Sequence, residues 1–388
     1  MVRLPRFALL ASCLLALACG DDDLDPAVDA GPEPLPDAAE PVVDAFDPPL
    51  DEGPPPVDLG PDRVPVFVAS GDGGWLAVSC DRGRTWTATE RSAERGDHTE
   101  WTSFGGIASG SETFVAAYGW GAAGHVLTSV DGGASWAEPD AAQFETAGGS
   151  ALRSGAAAVV FDGSEFLLFT RGIWASADGL AWSQTERRLP PSTHQTRQLR
   201  GFPEEGVLVL SGEAQRENED RPVGNFVALS EDGGETWIEG TGYDSQCSHP
   251  IQHRGDIEMM GDTVLVGATA LCRSTDRAAT WEVVEAPSST QDLYRTEDAF
   301  YLVGRGDSQL YRSEDGLTWT ASGDMGVSPG RATYGDGVHV VYGTADGAQV
   351  FAYSDDGETF ERAAFETDLE PTGARDITFG WAPSSACD

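Results

Sequence analysis

Residues 129–136 read SVDGGASW, and close variants of this stretch return along the chain. Residues 79–86 are SCDRGRTW, residues 230–237 are SEDGGETW and residues 274–281 are STDRAATW. Three forms that are shorter by one residue keep the same order: SADGLAW at 176–182, SEDGLTW at 313–319 and SDDGETF at 354–360. Seven copies of one pattern predict a fold built from seven repeated units.

The spacing of the copies indicates what each unit is. The aromatic residues that end them follow one another at intervals of 38 to 55 residues: Trp86, Trp136, Trp182, Trp237, Trp281, Trp319 and Phe360. Repeats of this length, rich in short β-type runs, are typical of the four-stranded blades of a β-propeller. In blade 2 the predicted strands are Trp101–Ser109, Thr113–Gly119 and His125–Val130, with a fourth beginning at Ser135–Glu138.

Each copy has a chemistry suited to a tight turn between the third and fourth strands. The Asp can accept hydrogen bonds from nearby backbone N–H groups, and Gly allows the positive φ that the turn requires. The ring can then pack between neighbouring sheets. The Asp residues are therefore predicted to be structural.

The seven turns resemble the Asp-boxes, or BNR repeats, of sialidase-like, sortilin-like and photosystem-assembly-factor-like propellers. The resemblance covers residues 64–382, and it implies a seven-bladed, all-β propeller. It also implies that the boxes lie away from the ligand-binding face. Long connections on the opposite face are predicted at Ala88–Glu100, Glu186–Thr196 and Glu239–Gln252, with an insertion at Glu213–Gly224.

The chain ends predict how the ring closes. Before the first turn only Val66–Ser70 and Trp75–Ser79 can form strands, so blade 1 lacks its inner strand. After the last turn, Arg375–Trp381 is a strand without a blade of its own. Pairing these segments would complete blade 1 and remove exposed sheet edges.

The first 62 residues predict an exported, anchored protein. Residues 1–18 have Arg3 and Arg6 followed by a short apolar run, as a signal peptide does. Ala16-Leu17-Ala18-Cys19 resembles a bacterial lipobox, so Cys19 is the predicted lipidation site; secretion without an anchor is the alternative. Residues 19–62 hold 14 acidic residues and 11 of the 23 Pro, which predicts an extended tether before a propeller at 63–388. We therefore expect a location in the cell envelope, at the outer membrane.

The charge restricts the partners. The formal net charge is −40, with 64 acidic residues against 24 basic ones, all of them Arg. Such a surface repels nucleic acid and anionic lipid, so membrane contact is expected through the lipid anchor only. We expect a monomer that binds a protein, a glycan or a small anion at the face opposite the boxes.

The cysteines predict two disulfides. Without Cys13 and Cys19, four remain in a protein with export signals. Alternate strands of a blade run in the same direction, so Cys80 and Cys387 emerge on one face of blade 1, and Cys247 and Cys272 on one face of blade 5. The predicted bonds are Cys80–Cys387 and Cys247–Cys272, because the other pairings would cross the ring. No metal site or cofactor is predicted, although His249 and His253 have a spacing that could bind metal on a helix.

A second pattern concerns arginine. Aligned at their starts, six of the seven inner strands carry one: Arg153, Arg200, Arg254, Arg295, Arg331 and Arg375. If they converge at the channel mouth, they could bind carboxylate or phosphate. The open alternative is that each forms a salt bridge with an acidic residue of the next blade, such as Asp256, Glu297 or Asp376.

Two functions are consistent with these patterns. A non-catalytic binding or scaffold module is the main prediction, because one fold hosts many functions. The alternative is a sialidase-like glycoside hydrolase that uses the arginines, with Tyr294 as the nucleophile. The arginine motif of sialidases is matched only partly by Asp62-Arg63-Val64-Pro65, which lacks its aromatic residue.

Overall fold

The structure is a computed structural model that describes residues 63–89, 105–119, 124–154, 158–170, 172–191, 193–214, 224–247, 257–267, 270–366 and 373–387. All of them belong to the compact unit Gly53–Asp388. The predicted signal peptide 1–18, Cys19 and the tether 19–62 lie outside the described residues. The division of the chain at these positions therefore stays a prediction.

Seven sheets form the blades of an all-β propeller, as predicted, and they are antiparallel except where Ala364–Phe365 pairs parallel with Thr85–Ala88. The inner strands of blades 1 to 7 are Ala374–Pro383, Gly106–Gly110, Ala158–Phe161, Thr193–Phe202, Ile257–Met260, Thr290–Arg295 and Ser328–Gly335. The second strands are Arg63–Gly71, Thr113–Tyr118, Phe166–Phe169, Val207–Ala214, Thr263–Gly267, Phe300–Gly304 and Val338–Ala345. The third strands are Trp75–Ser79, His125–Ser129, Ile173–Ser176, Gly224–Ser230, Leu271–Ser274, Gln309–Ser313 and Ala348–Ser354. The fourth strands, described in all blades except blade 2, are Thr85–Ala88, Ser183–Gln184, Ile238–Glu239, Glu282–Val284, Thr320–Asp324 and Glu361–Arg362.

The ring closes in blade 1, as the chain ends predicted. Ala374–Pro383 is the inner strand, and it pairs antiparallel with Arg63–Gly71, so that Val66 lies opposite Gly380. Cys80 and Cys387 form a disulfide beside this closure. Cys247 and Cys272 form the other predicted disulfide, and Cys272 lies within the third strand of blade 5.

The core lies between the blades. Seven clusters of buried apolar residues each join two neighbouring blades. Alternation along a strand sends successive side chains to different clusters: Val68 packs toward blade 2, whereas Phe67 and Ala69 pack toward blade 7. Because side chains alternate between the two sides of a strand, each blade contributes to two interfaces.

The seven motifs form turns of one kind, which we call the repeat turns. Every third strand ends at the Ser that opens its repeat turn, so all seven turns lie on one face of the propeller. We call this the repeat-turn face. The turns between inner and second strands also lie there, since each strand reverses the chain direction. The turns between second and third strands lie on the opposite face.

Blade 2 differs from its predicted layout. Its described inner strand is Gly106–Gly110, and residues 101–104 lie outside the described residues. In place of a fourth strand, a single bridge joins Thr128 to Ala137. The chain then leaves for blade 3, where Phe144 inserts into the core between the two blades.

The remaining elements are short. They comprise the strands Glu145–Thr146, Gly149–Ser150 and Ala364–Phe365, the 3-10 turns Asp72–Gly74, Ala141–Phe144, Ala151–Ser154 and Ser384–Cys387, and the α-helix Tyr243–Cys247. Within the described part of the chain, no helix is long and apolar enough to cross a membrane.

Candidate functional site

A cavity of about 280 Å³ occupies the central channel, and we call it the channel cavity. Inner strands of six blades line it. Its polar lining includes Arg197, Arg200, Asp292, Arg331, Thr333, Asp376 and Thr378. Charged side chains of both signs therefore face one small volume.

The six predicted arginines do not form a ring at one mouth of the channel. Arg295 ends its inner strand and contacts Glu204 and Glu205, which lie in a turn on the repeat-turn face. Arg375 contacts Asp72, which lies in the turn between the second and third strands of blade 1 on the opposite face. The register places these two arginines four strand residues apart along the channel, or about 13 Å.

The alignment behind the arginine prediction is wrong for the described residues. Arg200 and Arg331 line the channel cavity at different depths, between Arg295 and Arg375. Arg153 lies in the 3-10 turn Ala151–Ser154 and not on an inner strand, because Ala151 and Leu152 of that turn pack into the core between blades 2 and 3. Arg254, with His249, His253 and Asp256, lies outside the described residues.

A series of ion pairs connects Arg200 to the repeat-turn face. The Nη2 of Arg200 lies 3.4 Å from an oxygen of Glu258, and the Nε of Arg295 lies 3.8 Å from the other. Arg295 also contacts Glu205 at 2.7 Å. Burial raises the pKa of Glu258, and the two arginines only partly oppose this effect. We call this the Glu258 cluster.

Arg331 forms a separate buried pair. Its Nη1 donates to Asp292 at 2.7 Å, and the backbone N–H of Ala332 donates to the other oxygen of Asp292 at 2.6 Å. Asp292 comes from blade 6 and Ala332 from blade 7, so this carboxylate joins neighbouring blades. Burial raises the pKa of Asp292 well above its ordinary value, while Arg200 lowers it and Asp376 raises it.

Asp376 is held differently. Its two oxygens accept the backbone N–H groups of Ile107, at 3.2 Å, and of Ile377, at 3.0 Å. Gly106 permits this approach, because a Cβ there would come within 2.7 Å of Asp376 Oδ2 and the residue has a φ of +78°. Within the described residues, Asp376 has no cationic partner.

Four of the predicted arginines form salt bridges, but among the described contacts only Arg200 pairs with a residue of the next blade, and the partners are not those named from sequence. The actual partners of Arg200, Arg295, Arg331 and Arg375 are Glu258, Glu204, Glu205, Asp292 and Asp72. Glu258 and Asp292 were not predicted as site residues. Each is an acid on an inner strand with apolar residues close by, as in Ile257-Glu258-Met259, and that pattern could have indicated a buried partner.

Tyr294 also lines the channel cavity, yet its hydroxyl is engaged. It lies 2.9 Å from Nδ1 of His339, and both side chains are buried. Burial lowers the pKa of His339 to about 4 and raises that of Tyr294 well above its ordinary value. Arg63, from the partial sialidase motif, lies on the second strand of blade 1 and contacts Glu112.

The opposite face is uneven. Measured from the repeat turns, the third strands of blades 4 and 7 have seven residues, whereas those of the other blades have four or five. Among the described strands, the third strands of blades 4 and 7 therefore extend about 7–10 Å further on the face opposite the repeat turns. They lie on different sides of the channel.

Comparison with known proteins supports the fold. No family and no curated protein matches this sequence. Among solved structures, "YCF48 bound to D1 peptide" matches with a TM-score of 0.50 and 18% identity, over 70% of this chain and 84% of that chain. YCF48 from Cyanidioschyzon merolae gives 0.44 and 13% over 68% and 83%, and AztD from Citrobacter koseri gives 0.47 and 9% over 82% and 98%. At 18% identity, the likeness to the first of these structures shows the propeller fold alone.

Proposed function

We propose that this protein is a non-catalytic binding or scaffold module that presents the face opposite the repeat turns to a protein partner. The observation that carries the proposal is the unequal height of the blades. Blades 4 and 7 rise on either side of the channel, so they would flank a segment lying across it. The solved structure of YCF48 with a D1 peptide is a propeller bound to a peptide, which is consistent with this use of the fold.

The charges in the channel favour binding over glycoside hydrolysis. A sialidase would need several arginines with free donors and a Tyr activated by a carboxylate. Arg295 and Arg331 are instead occupied by carboxylates, and the hydroxyl of Tyr294 is hydrogen-bonded to His339. We therefore keep the sialidase-like activity only as an outcome of the test.

The proposed placement is the bacterial cell envelope, with residues 1–18 removed, Cys19 lipidated and residues 19–62 as the tether. Disulfides are typical of proteins outside the reducing cytosol, and the two in the structure support export. Metabolic labelling with a fatty acid should mark the full chain and not the Cys19→Ala variant. Equal labelling of both would contradict the anchor.

The binding face can be tested with a photo-crosslinking amino acid. Placed at Ala348, on the raised part of blade 7, it should crosslink one specific envelope protein in the producing cells. Placed at the exposed Glu314 of a repeat turn, it should not. A partner captured equally from Glu314 would contradict the proposed face. Release of sialic acid from a fluorogenic sialoside, lost in Arg331→Gln, would replace the proposal with the sialidase.

A further inference from the structure

Among the described residues that line the channel cavity, Arg200 is a cation whose donors are mostly unused. Arg200 has a side chain that is 37% exposed, and its one contact in the described structure is the 3.4 Å approach to Glu258. Glu258 is shared with Arg295. The other cations that line the cavity are matched, Arg331 by Asp292 and Arg197 by Glu213.

The same cavity contains Asp376, a carboxylate without a cationic partner in the described part of the chain. Asp376 accepts only backbone N–H groups among the described residues, and it belongs to blade 1, three blades away from Arg200 in blade 4. Arg200, Asp292 and Asp376 all line this cavity, and Arg200 lowers the pKa of Asp292 whereas Asp376 raises it. Among the described residues, the incompletely matched cation and the carboxylate without a cation thus come from opposite sides of the channel.

These two charges define the ligand by complementarity. A simple anion would gain contact with Arg200 but would be repelled by Asp376, in a domain that is acidic overall. A simple cation would be attracted by Asp376 but repelled by Arg200. A molecule carrying both charges satisfies both sites and adds no net charge. The volume of about 280 Å³ is just below the usual range of small-molecule sites, which favours a small ligand.

We infer that the channel cavity is a binding site for a small zwitterion of the amino-acid class, with its carboxylate on Arg200 and its ammonium on Asp376. Thr333 and Thr378 line the same space and supply hydroxyls to the polar part of the ligand. This inference refines the proposed binding function, because it adds a small-molecule site beneath the protein-binding face. It also replaces the simple anion predicted from sequence.

The test uses ω-amino acids of increasing length, from glycine through β-alanine and 4-aminobutyrate to 6-aminohexanoate, with butyrate and butylammonium as singly charged controls. Isothermal titration of the intact domain should detect at least one amino acid and neither control at constant ionic strength. The bound amino acid should also raise the melting temperature as its concentration rises. Butyrate or butylammonium binding as well as the best amino acid would overturn the inference, and so would binding of none of the probes.

Variants assign the contacts. Arg200→Gln and Asp376→Asn should each weaken binding of the best amino acid at least tenfold. Arg362→Gln is the matched control, because it removes an exposed arginine that pairs with Asp346 away from the cavity lining, and it should bind as the wild type does. Unchanged binding of the amino acid by a folded Asp376→Asn variant would overturn the inference that the ligand is a zwitterion. If that variant does not fold, the comparison of amino acids with singly charged controls on the wild type still tests the inference.

The outcomes separate this inference from the proposed function. A domain that crosslinks its partner through Ala348 but binds no zwitterion refutes the inference alone. Sialoside cleavage refutes the proposed function, whatever the titrations show.

Discussion

At the scale of single residues, the repeat-turn aspartates explain why the motif recurs. Each accepts a hydrogen bond from the Ser two positions before it and from backbone N–H groups two to four positions after it. These bonds lower the pKa of all seven aspartates, and in several they outweigh an opposing effect of burial. The ionised carboxylate is therefore part of the turn.

Asp356 gives the sharpest test, with Glu358 of the same turn as its control. Asp356 Oδ1 accepts the N–H groups of Glu358 and Thr359, both at 2.8 Å. Asp356→Ala should lower the free energy of unfolding by about 1 kcal/mol, because hydrogen bonds to a charged group are lost at a solvated site. Glu358→Ala removes the same charge without a turn bond and should change it by less than about 0.5 kcal/mol in urea unfolding.

The effect of Asp356→Ala should depend on pH. The pKa of Asp356 is lowered to about 2 in the folded state, against an ordinary value of about 3.9 in the unfolded chain. The unfolded state thus binds more protons between these values, so the stabilisation is complete above about pH 4 and is lost as the pH falls toward 2. The difference between wild type and variant should shrink over this range. A constant difference down to pH 2 would contradict the role of the charge.

At the scale of elements, the chain leaving a blade is attached to the repeat turn of the next blade. Gln143, which follows blade 2, donates to Leu180 O and accepts from Trp182 N. After blade 4, Thr241 N donates to Ala279 O at 2.9 Å, and after blade 7, Ala364 N donates to Arg84 O at 2.8 Å. After blade 3, Arg188 O accepts from Trp237 Nε1 at 2.9 Å. The repeat turns thus hold neighbouring blades together as well as reversing the chain.

Gln143 offers a graded test of this attachment. Gln143→Ala leaves two backbone groups of the blade 3 turn without their partners, which should cost about 1–3 kcal/mol. Gln143→Glu keeps the acceptor for Trp182 N and loses the donor to Leu180 O, so its effect should be intermediate. Amide hydrogen exchange of residues 178–184 should accelerate in the same order. Equal exchange in all three proteins would show that the side chain does not hold the turn.

At the scale of the whole molecule, stability depends on closing the ring. Each blade contributes to two apolar interfaces, and blade 1 exists only when the C-terminal strand pairs with Arg63–Gly71. Loss of that strand would expose the edge of Arg63–Gly71 and remove Ala374, Ile377 and Ala382 from two clusters. Both interfaces of blade 1 therefore depend on the last fifteen residues.

Deletion of residues 373–388 should abolish cooperative unfolding of the entire domain, as followed by calorimetry or near-UV circular dichroism. Deletion of residues 384–388 is the control, because it removes Cys387 and its disulfide but keeps the inner strand. That shorter deletion should leave a folded domain with about 2–5 kcal/mol less stability. A protein without residues 373–388 that melts as the intact one does would refute the closure.

The fold was predictable from the sequence and the arginine site was not, for different physical reasons. The fold, its closure and both disulfide pairs followed from motifs whose interactions are local or whose position in the repeat is unambiguous. The arginine alignment failed because height along an inner strand depends on bulges and on the length of the preceding connection. Register shifts occur between Thr196 and Gln198, between Pro329 and Arg331, and at Ser70/Gly71 opposite Arg375.

The sequence by itself determined the seven blades, because every repeat turn is built from a Ser, an Asp and a few backbone groups within eight residues. Only the tertiary structure decided which charges meet in the channel. Arg331 pairs with Asp292 at a separation of 39 residues, and Arg200 pairs with Glu258 at a separation of 58 residues. Such pairs form because ring closure brings inner strands of separate blades to one axis, where a buried charge is stable only beside its opposite. In this geometry Arg200 and Asp376 lack a fully matching partner of opposite charge among the described residues. They form the proposed ligand site.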